Sequence, residues 1–142
     1  LAIGQPRSIL QWQLTADYSV LAGGGVFGDT GPLRPTQRFW NLKQLASTPA
    51  GAFALPVRCG GPGITCAAYG DIARGAYAIH IVNNGAARSA AISGLPEGLK
   101  SLRIWVTDTA RGMQEGEPVP VREGRAQCTL EAAGFTTLIG VP

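Results

Sequence analysis

Charge is scarce in these 142 residues: Asp, Glu, Lys and Arg together make up 15% of them. The twelve basic residues exceed the nine acidic ones by a net +3, and they are scattered. No basic run interleaves with aromatics, so the electrostatic footprint of nucleic-acid binding is missing. Nor is there an unbroken apolar run of about 18 residues, the least that a membrane-spanning helix takes. Histidine occurs once, as His80. The spacing of Cys59, Cys66 and Cys128 is poor for zinc and only His80 offers a nitrogen ligand, so neither a metal nor another cofactor is expected. GxSxG and GxxxxGK[ST] are both absent, and Gly23–Gly25 reads as hinge or loop. The chain starts at Leu1 with no basic region followed by an apolar stretch. It therefore reads as a mature protein, a recombinant piece or a fragment.

Glycine (20) and proline (10) are abundant instead. Frequent Gly/Pro punctuation with little charge favours short strands joined by turns. A chain of this length can bury a core without metals or staples.

The pattern divides near Ser47–Pro49. Residues 1–48 read as a strand, a connection and a helix. "SILQWQL" (8–14) has the composition of a strand apolar on both faces, yet almost no chain precedes it to supply neighbours. "AGGGVFGDTGPLRP" (22–35) is a Gly-rich connection that needs external contacts to become ordered. "RPTQRFWNLKQLAS" reads as a helix with Pro35 in its first turn. Phe39, Leu42, Leu45 and Ala46 fall on one side of it, and Pro49 ends it.

Residues 49–142 have a period of two. "AFALPVRC" and "TCAAYG" are strands. In "GAYAIHIVNNG", Tyr77, Ile79 and Ile81 share one face, Ala78, His80 and Val82 the other, and a turn follows. "RSAAISGL" comes next. In "SLRIWVTDT", Leu102, Ile104 and Val106 oppose Arg103, Trp105 and Thr107. "EPVPVREG" and "RAQCTLEA" suggest a hairpin around Glu123–Gly124, and "FTTLIGV" closes the chain. About eight short strands at regular intervals indicate a mainly β fold, an antiparallel sandwich. Cys59 and Cys66 flank "GGPGIT"; they are either bridged across a hairpin or two buried thiols. A bridge implies an oxidising compartment. Cys128 alternates with Ala126 and Leu130 and reads as a core thiol.

This order of elements resembles the C-terminal end of (β/α)8-barrel glycoside hydrolases that carry a β-sandwich, most nearly the family 30 type. "SILQWQL" looks like the eighth barrel strand, "RPTQRFWNLKQLA" like the eighth helix, and residues 49–142 like the side sandwich with its closing Thr-Thr-Leu strand. In such enzymes the two catalytic carboxylates lie at the ends of the fourth and seventh barrel strands, which this chain lacks. The resemblance therefore implies no catalytic residue here. It does imply a role for Trp12, similar to the aromatic that such barrels place under the sugar nearest the cleavage point. It also implies a secreted or periplasmic protein that contacts a β-linked polysaccharide or oligosaccharide.

Glycosidic hydrolysis needs two carboxyl groups about 5–5.5 Å or 6.5–9.5 Å apart. Asp29, Asp71, Glu97, Glu115, Glu117 and Glu123 sit beside turn residues and read as solvated turn acids. Asp17 follows the Trp12 strand; it either bonds a sugar hydroxyl or serves a local turn. Asp108 reads as an Asx-turn residue. His80, without a nucleophile or base partner, reads as a packed or surface sheet residue. Flat aromatic rings can bury the C–H face of a pyranose, and Trp12, Tyr18, Trp40, Tyr69 and Trp105 are available. Trp40 reads as helix packing. Trp105, with Arg103 and Thr107, is either an exposed platform or packed against a loop or helix. The substrate-contact candidates are thus Trp12, Asp17, Tyr69 and Trp105.

Three functions follow. The chain is the non-catalytic, C-terminal sandwich portion of a glycoside hydrolase, with a missing N-terminal barrel as its partner. Or it is a free-standing carbohydrate-binding module using Trp105 and Tyr69. Or it is an assembly domain whose N-terminal unit is covered by a second copy of the chain.

Overall fold

The computed structural model describes residues 9, 10, 14 and 19–140. Among these, the elements are β1 (Leu21–Ala22), β2 (Arg34–Pro35), α1 (Gln37–Leu45), β3 (Phe53–Leu55), β4 (Ile64–Asp71) and β5 (Ala76–Asn83). They continue with β6 (Arg88–Ser93), β7 (Ser101–Thr107), β8 (Gln114–Glu115), β9 (Val119–Pro120), β10 (Arg125–Leu130) and β11 (Gly134–Gly140).

The main sheet runs in the order β3-β4-β5-β11-β7-β8, with β9 also on β7, and every pairing is antiparallel. The closing strand β11 sits in the middle, where Leu138 lies opposite both Ile79 of β5 and Ile104 of β7. A second sheet of β6 and β10 packs on one face. Between the two lies the core: Ile81, Leu102, Ile104, Val106 and Leu138 from the main sheet against Ala126, Cys128 and Leu130 from β10. The period-two reading is thus borne out, because a strand buried on one face must alternate. Leu102, Ile104 and Val106 point inward, while Arg103 and Trp105 share the opposite face with Thr107.

Three expectations change. The turn at Glu123–Gly124 forms, with φ of +50° and +68°, but the strands it joins part company. β9 pairs with β7 and β10 with β6, so the connection crosses between sheets instead of closing a hairpin. Pro35 lies outside the helix, in β2; Thr36 is the N-cap and accepts from the Phe39 N–H at 3.4 Å. Of the strand expected over residues 8–14, the described Ile9, Leu10 and Leu14 belong to no strand and are 48%, 94% and 66% exposed. Its other residues lie outside the described ones.

Cys59 and Cys66 are bridged, with Cα atoms 6.1 Å apart, which ties the loop after β3 to β4. Cys128 is a buried free thiol, and burial raises its pKa. No helix among the described residues is long and apolar enough to cross a membrane.

Candidate functional site: the helix-covered face of the main sheet

α1 lies across β7 and β11 on the face away from β6 and β10. Its one fully buried side chain is polar. Gln44 donates through Nε2 to the Trp105 carbonyl at 3.1 Å, the Phe135 carbonyl at 2.8 Å and Thr137 Oγ1 at 3.0 Å. Its Oε1 accepts from Thr107 Oγ1 at 2.7 Å. A buried amide is tolerable only when bonded on both sides, and this one is. Trp40 adds a second anchor against the β7–β8 connection: a Cβ at Gly112 would come within 2.4 Å of its indole. Phe39 meets that indole edge-on at 5.0 Å, so Trp40 does pack as expected.

His80 continues the polar row. Thr137 is in register with His80 on one side and Trp105 on the other. His80 Nδ1 lies 2.9 Å from Thr137 Oγ1, and Nε2 lies 2.8 Å from Thr48 Oγ1, just past α1. Burial lowers its pKa to about 4, so the ring is neutral near pH 7. Both nitrogens are engaged by hydroxyls, and among the described residues no carboxylate or thiol bonds to the ring. His80 is a packed sheet residue.

On the apolar side of α1, Phe39, Leu42 and Leu45 are half-buried. Leu42 and Leu45 line an open cleft of about 580 Å³, with Ala67, Val82 and Phe135 along the sheet. A second opening of about 610 Å³ lies between the two sheets, beside the Cys59–Cys66 bridge.

The candidate sugar contacts are dispersed. Trp105 is half-buried on the helix-covered face, and the Arg103 guanidinium stands 4.6 Å from its ring centre. Glu115 holds that guanidinium at 2.8 Å, so one face of the indole is already occupied. Tyr69 is on the same sheet face, edge-on to His80 at 6.1 Å. Its strand β4 is separated from β7 by β5 and β11, which is at least about 14 Å at normal strand spacing. The two aromatics do not form one platform. Trp12, Asp17 and Tyr18 lie outside the described residues.

Arginine engages most of the acids. Asp29 pairs with Arg34 at 2.6 Å, Asp71 with Arg74 at 3.3 Å, and Glu131 with Arg111 at 3.2 Å. Asp108 also pairs with Arg111 while accepting from the Ala110 and Arg111 N–H groups, the expected Asx turn. Glu115 is not a turn acid; it lies in β8 opposite Trp105 and pairs with Arg103. Bonds from their arginines hold Asp29, Asp108 and Glu115 below the usual carboxylate range. Acids held ionised in this way are poor proton donors for a glycosidic oxygen. Among the described residues, no cluster of three or more His, Cys, Asp or Glu could hold a metal.

Sequence reasoning missed Gln44 and Asn83. The Asn83 amide is buried and donates to the Ala86 and Glu131 carbonyls at 2.9 and 2.8 Å, locking the turn after β5. The "NNG" signal located that turn but gave no hint of the long-range bond.

No protein-family profile matches the sequence, and no curated protein matches it. Solved structures do match. A GH30 endoxylanase from Clostridium papyrosolvens superposes with a TM-score of 0.68 at 24% identity, over 76% of this chain and 28% of that one. A glycoside hydrolase family 30 subfamily 8 xylanase from Clostridium acetobutylicum gives 0.70 at 14% identity, over 77% and 29%. The catalytic domain of GH30 xylanase C from Talaromyces cellulolyticus gives 0.68 at 12% identity, over 88% and 28%. The chain thus has the fold of one portion of GH30 xylanases, and its match spans under a third of their length. The fold resemblance read from the sequence, to the C-terminal end of such enzymes, is borne out.

Proposed function

We propose that this chain is the non-catalytic C-terminal portion of a glycoside hydrolase that acts on a β-linked polysaccharide of the xylan kind. Residues 1–48 are its closing barrel unit and residues 49–142 its supporting sandwich. The uncovered apolar side of the N-terminal unit carries this reading. Ile9, Leu10 and Leu14 stand exposed, and the cleft that half-buried Leu42 and Leu45 share with the sheet is open. A preceding barrel is the partner that would cover them. Gln44 and Trp40, meanwhile, fix α1 to the sandwich, so the sandwich would brace the last barrel helix.

Within that enzyme, Trp12 would sit under a sugar ring and Asp17 would bond a hydroxyl. The Cys59–Cys66 bridge and a matching exported protein from Bacteroides fragilis, with a TM-score of 0.63, support a place outside the cytoplasm. The binding-module reading, with Trp105 and Tyr69 as one platform, has less support because Arg103 covers Trp105 and the two rings are far apart.

The test is hydrolysis. The purified chain is incubated with glucuronoxylan and with β-glucan, and reducing ends are counted. The proposal requires no release above buffer; turnover by the chain alone would refute it.

A further inference from the structure

A strained turn in the connection before α1 carries an exposed aromatic, Phe27. Val26 and Asp29 pair as an antiparallel bridge with only Phe27 and Gly28 between them. Both central residues have positive φ, +50° and +78°. That is the mirror-image two-residue turn which Asn-Gly or Asp-Gly fills with least strain. Phenylalanine is a poor occupant, because in the left-handed region its Cβ crowds the following carbonyl. Burial of the ring is the usual compensation, but Phe27 is 78% exposed. The other described non-glycine residues with positive φ are Met113, Glu123 and Ala133. Met113 is half-buried, Glu123 is polar and Ala133 is small; only Phe27 puts a large apolar group into solvent.

The loop holds the turn in place. The Gly24 N–H donates to the Gly31 carbonyl and the Gly25 N–H to the Asp29 carbonyl, both at 2.8 Å. The Asp29 carboxylate accepts from the Gly31 N–H at 3.2 Å and from Arg34 at 2.6 Å. At the base, Thr36 Oγ1 lies 3.1 Å from the Ser19 and Val20 carbonyls while capping α1. The ring is therefore presented from a braced loop at a defined place relative to the helix.

Backbone strain at an aromatic that stays exposed among the described residues points to a functional position. We propose that Phe27 is a stacking contact for a pyranose ring of the glycan, an inference that rests on the polysaccharide reading above. The ring would bury a C–H face of the sugar, as flat aromatics at wet interfaces do. The exposed Asp29–Arg34 pair on the same loop offers an acceptor and donors to hydroxyls.

Affinity electrophoresis of the full chain, in gels cast with soluble glucuronoxylan or β-glucan, tests this, with thermal melting alongside. The variants are Phe27→Asn, which gives the turn a favoured residue, and Phe27→Trp, which keeps a flat ring. The parent chain and Phe27→Trp should be retarded. Phe27→Asn should melt at the same temperature or higher, yet lose apparent affinity by roughly fivefold or more. Retardation of Phe27→Asn equal to the parent overturns the contact, as would be seen if the ring is merely covered by another protein segment. A lower melting temperature for Phe27→Asn overturns the strain argument. No retardation of the parent overturns the contact but leaves the accessory-portion reading standing, since that is judged by the hydrolysis assay.

Discussion

Replacing Gln44 with leucine keeps nearly the same volume but removes the four polar contacts that Gln44 makes to the sheet. Nε2 has two protons shared among the Trp105 and Phe135 carbonyls and Thr137 Oγ1, and Oε1 takes the Thr107 hydroxyl. That is about three hydrogen bonds' worth, each contributing about 1 kcal/mol net. The partners left facing leucine lose solvation as well, at about 1–3 kcal/mol for a buried polar group. Burial of the leucine side chain returns about 1.5–3 kcal/mol. The balance is a loss of about 1–4.5 kcal/mol. With a urea m-value of about 2 kcal/mol/M, the unfolding midpoint falls by about 0.5–2 M. Equilibrium urea unfolding at pH 7, followed by tryptophan fluorescence, reads this directly, because Trp40 and Trp105 both flank the helix contact. Thr107→Val, which removes one partner only, should cost less than half as much. A midpoint within about 0.2 M of the parent would mean that Gln44 does not hold the helix, and the bracing argument would fail.

Three further predictions follow from the same geometry. His80 has a folded pKa of about 4 against 6.5 unfolded, so its contribution is complete above pH 6.5 and is lost as pH falls towards 4. The decline is at most about 3 kcal/mol, and unfolding curves of His80→Gln should be flatter over that window. Cys59→Ser opens a link with a sequence separation of 7 and should lower stability by about 2 kcal/mol under oxidising conditions, with no effect once the parent is reduced. Gly112→Ala drives a methyl group into the Trp40 indole and should destabilise by about 1–3 kcal/mol, with a change in near-ultraviolet circular dichroism.

The strands were legible wherever one face is buried. β5, β7 and β10 alternate in the sequence because their inner residues meet the same core, and Cys128 declared itself by sitting between Ala126 and Leu130. Pairing was less legible. The Glu123–Gly124 turn is set by local chemistry, whereas the partners of β9 and β10 are chosen by distant strands. The helix was legible from Phe39, Leu42, Leu45 and Ala46, but the buried glutamine that bonds α1 to the sheet was not. Its partners lie 61 to 93 residues along the chain, beyond any local pattern. Tyr69 and Trp105 were rightly placed on strands, but only the strand order reveals how far apart they stand. Phe27 passed unnoticed because "VFGD" looks like an ordinary Gly-containing turn until its φ angles are known.

The mass of the native protein that carries this sequence tests the account most directly. In the Clostridium papyrosolvens match, 76% of these 142 residues stands for 28% of the xylanase chain, which scales to a parent on the order of 40 kDa. Intact-mass spectrometry of the protein isolated from its source should find a polypeptide of about that size or larger that contains these residues. A native species of 14.7 kDa, the mass of this chain by itself, would contradict the claim that a barrel precedes it.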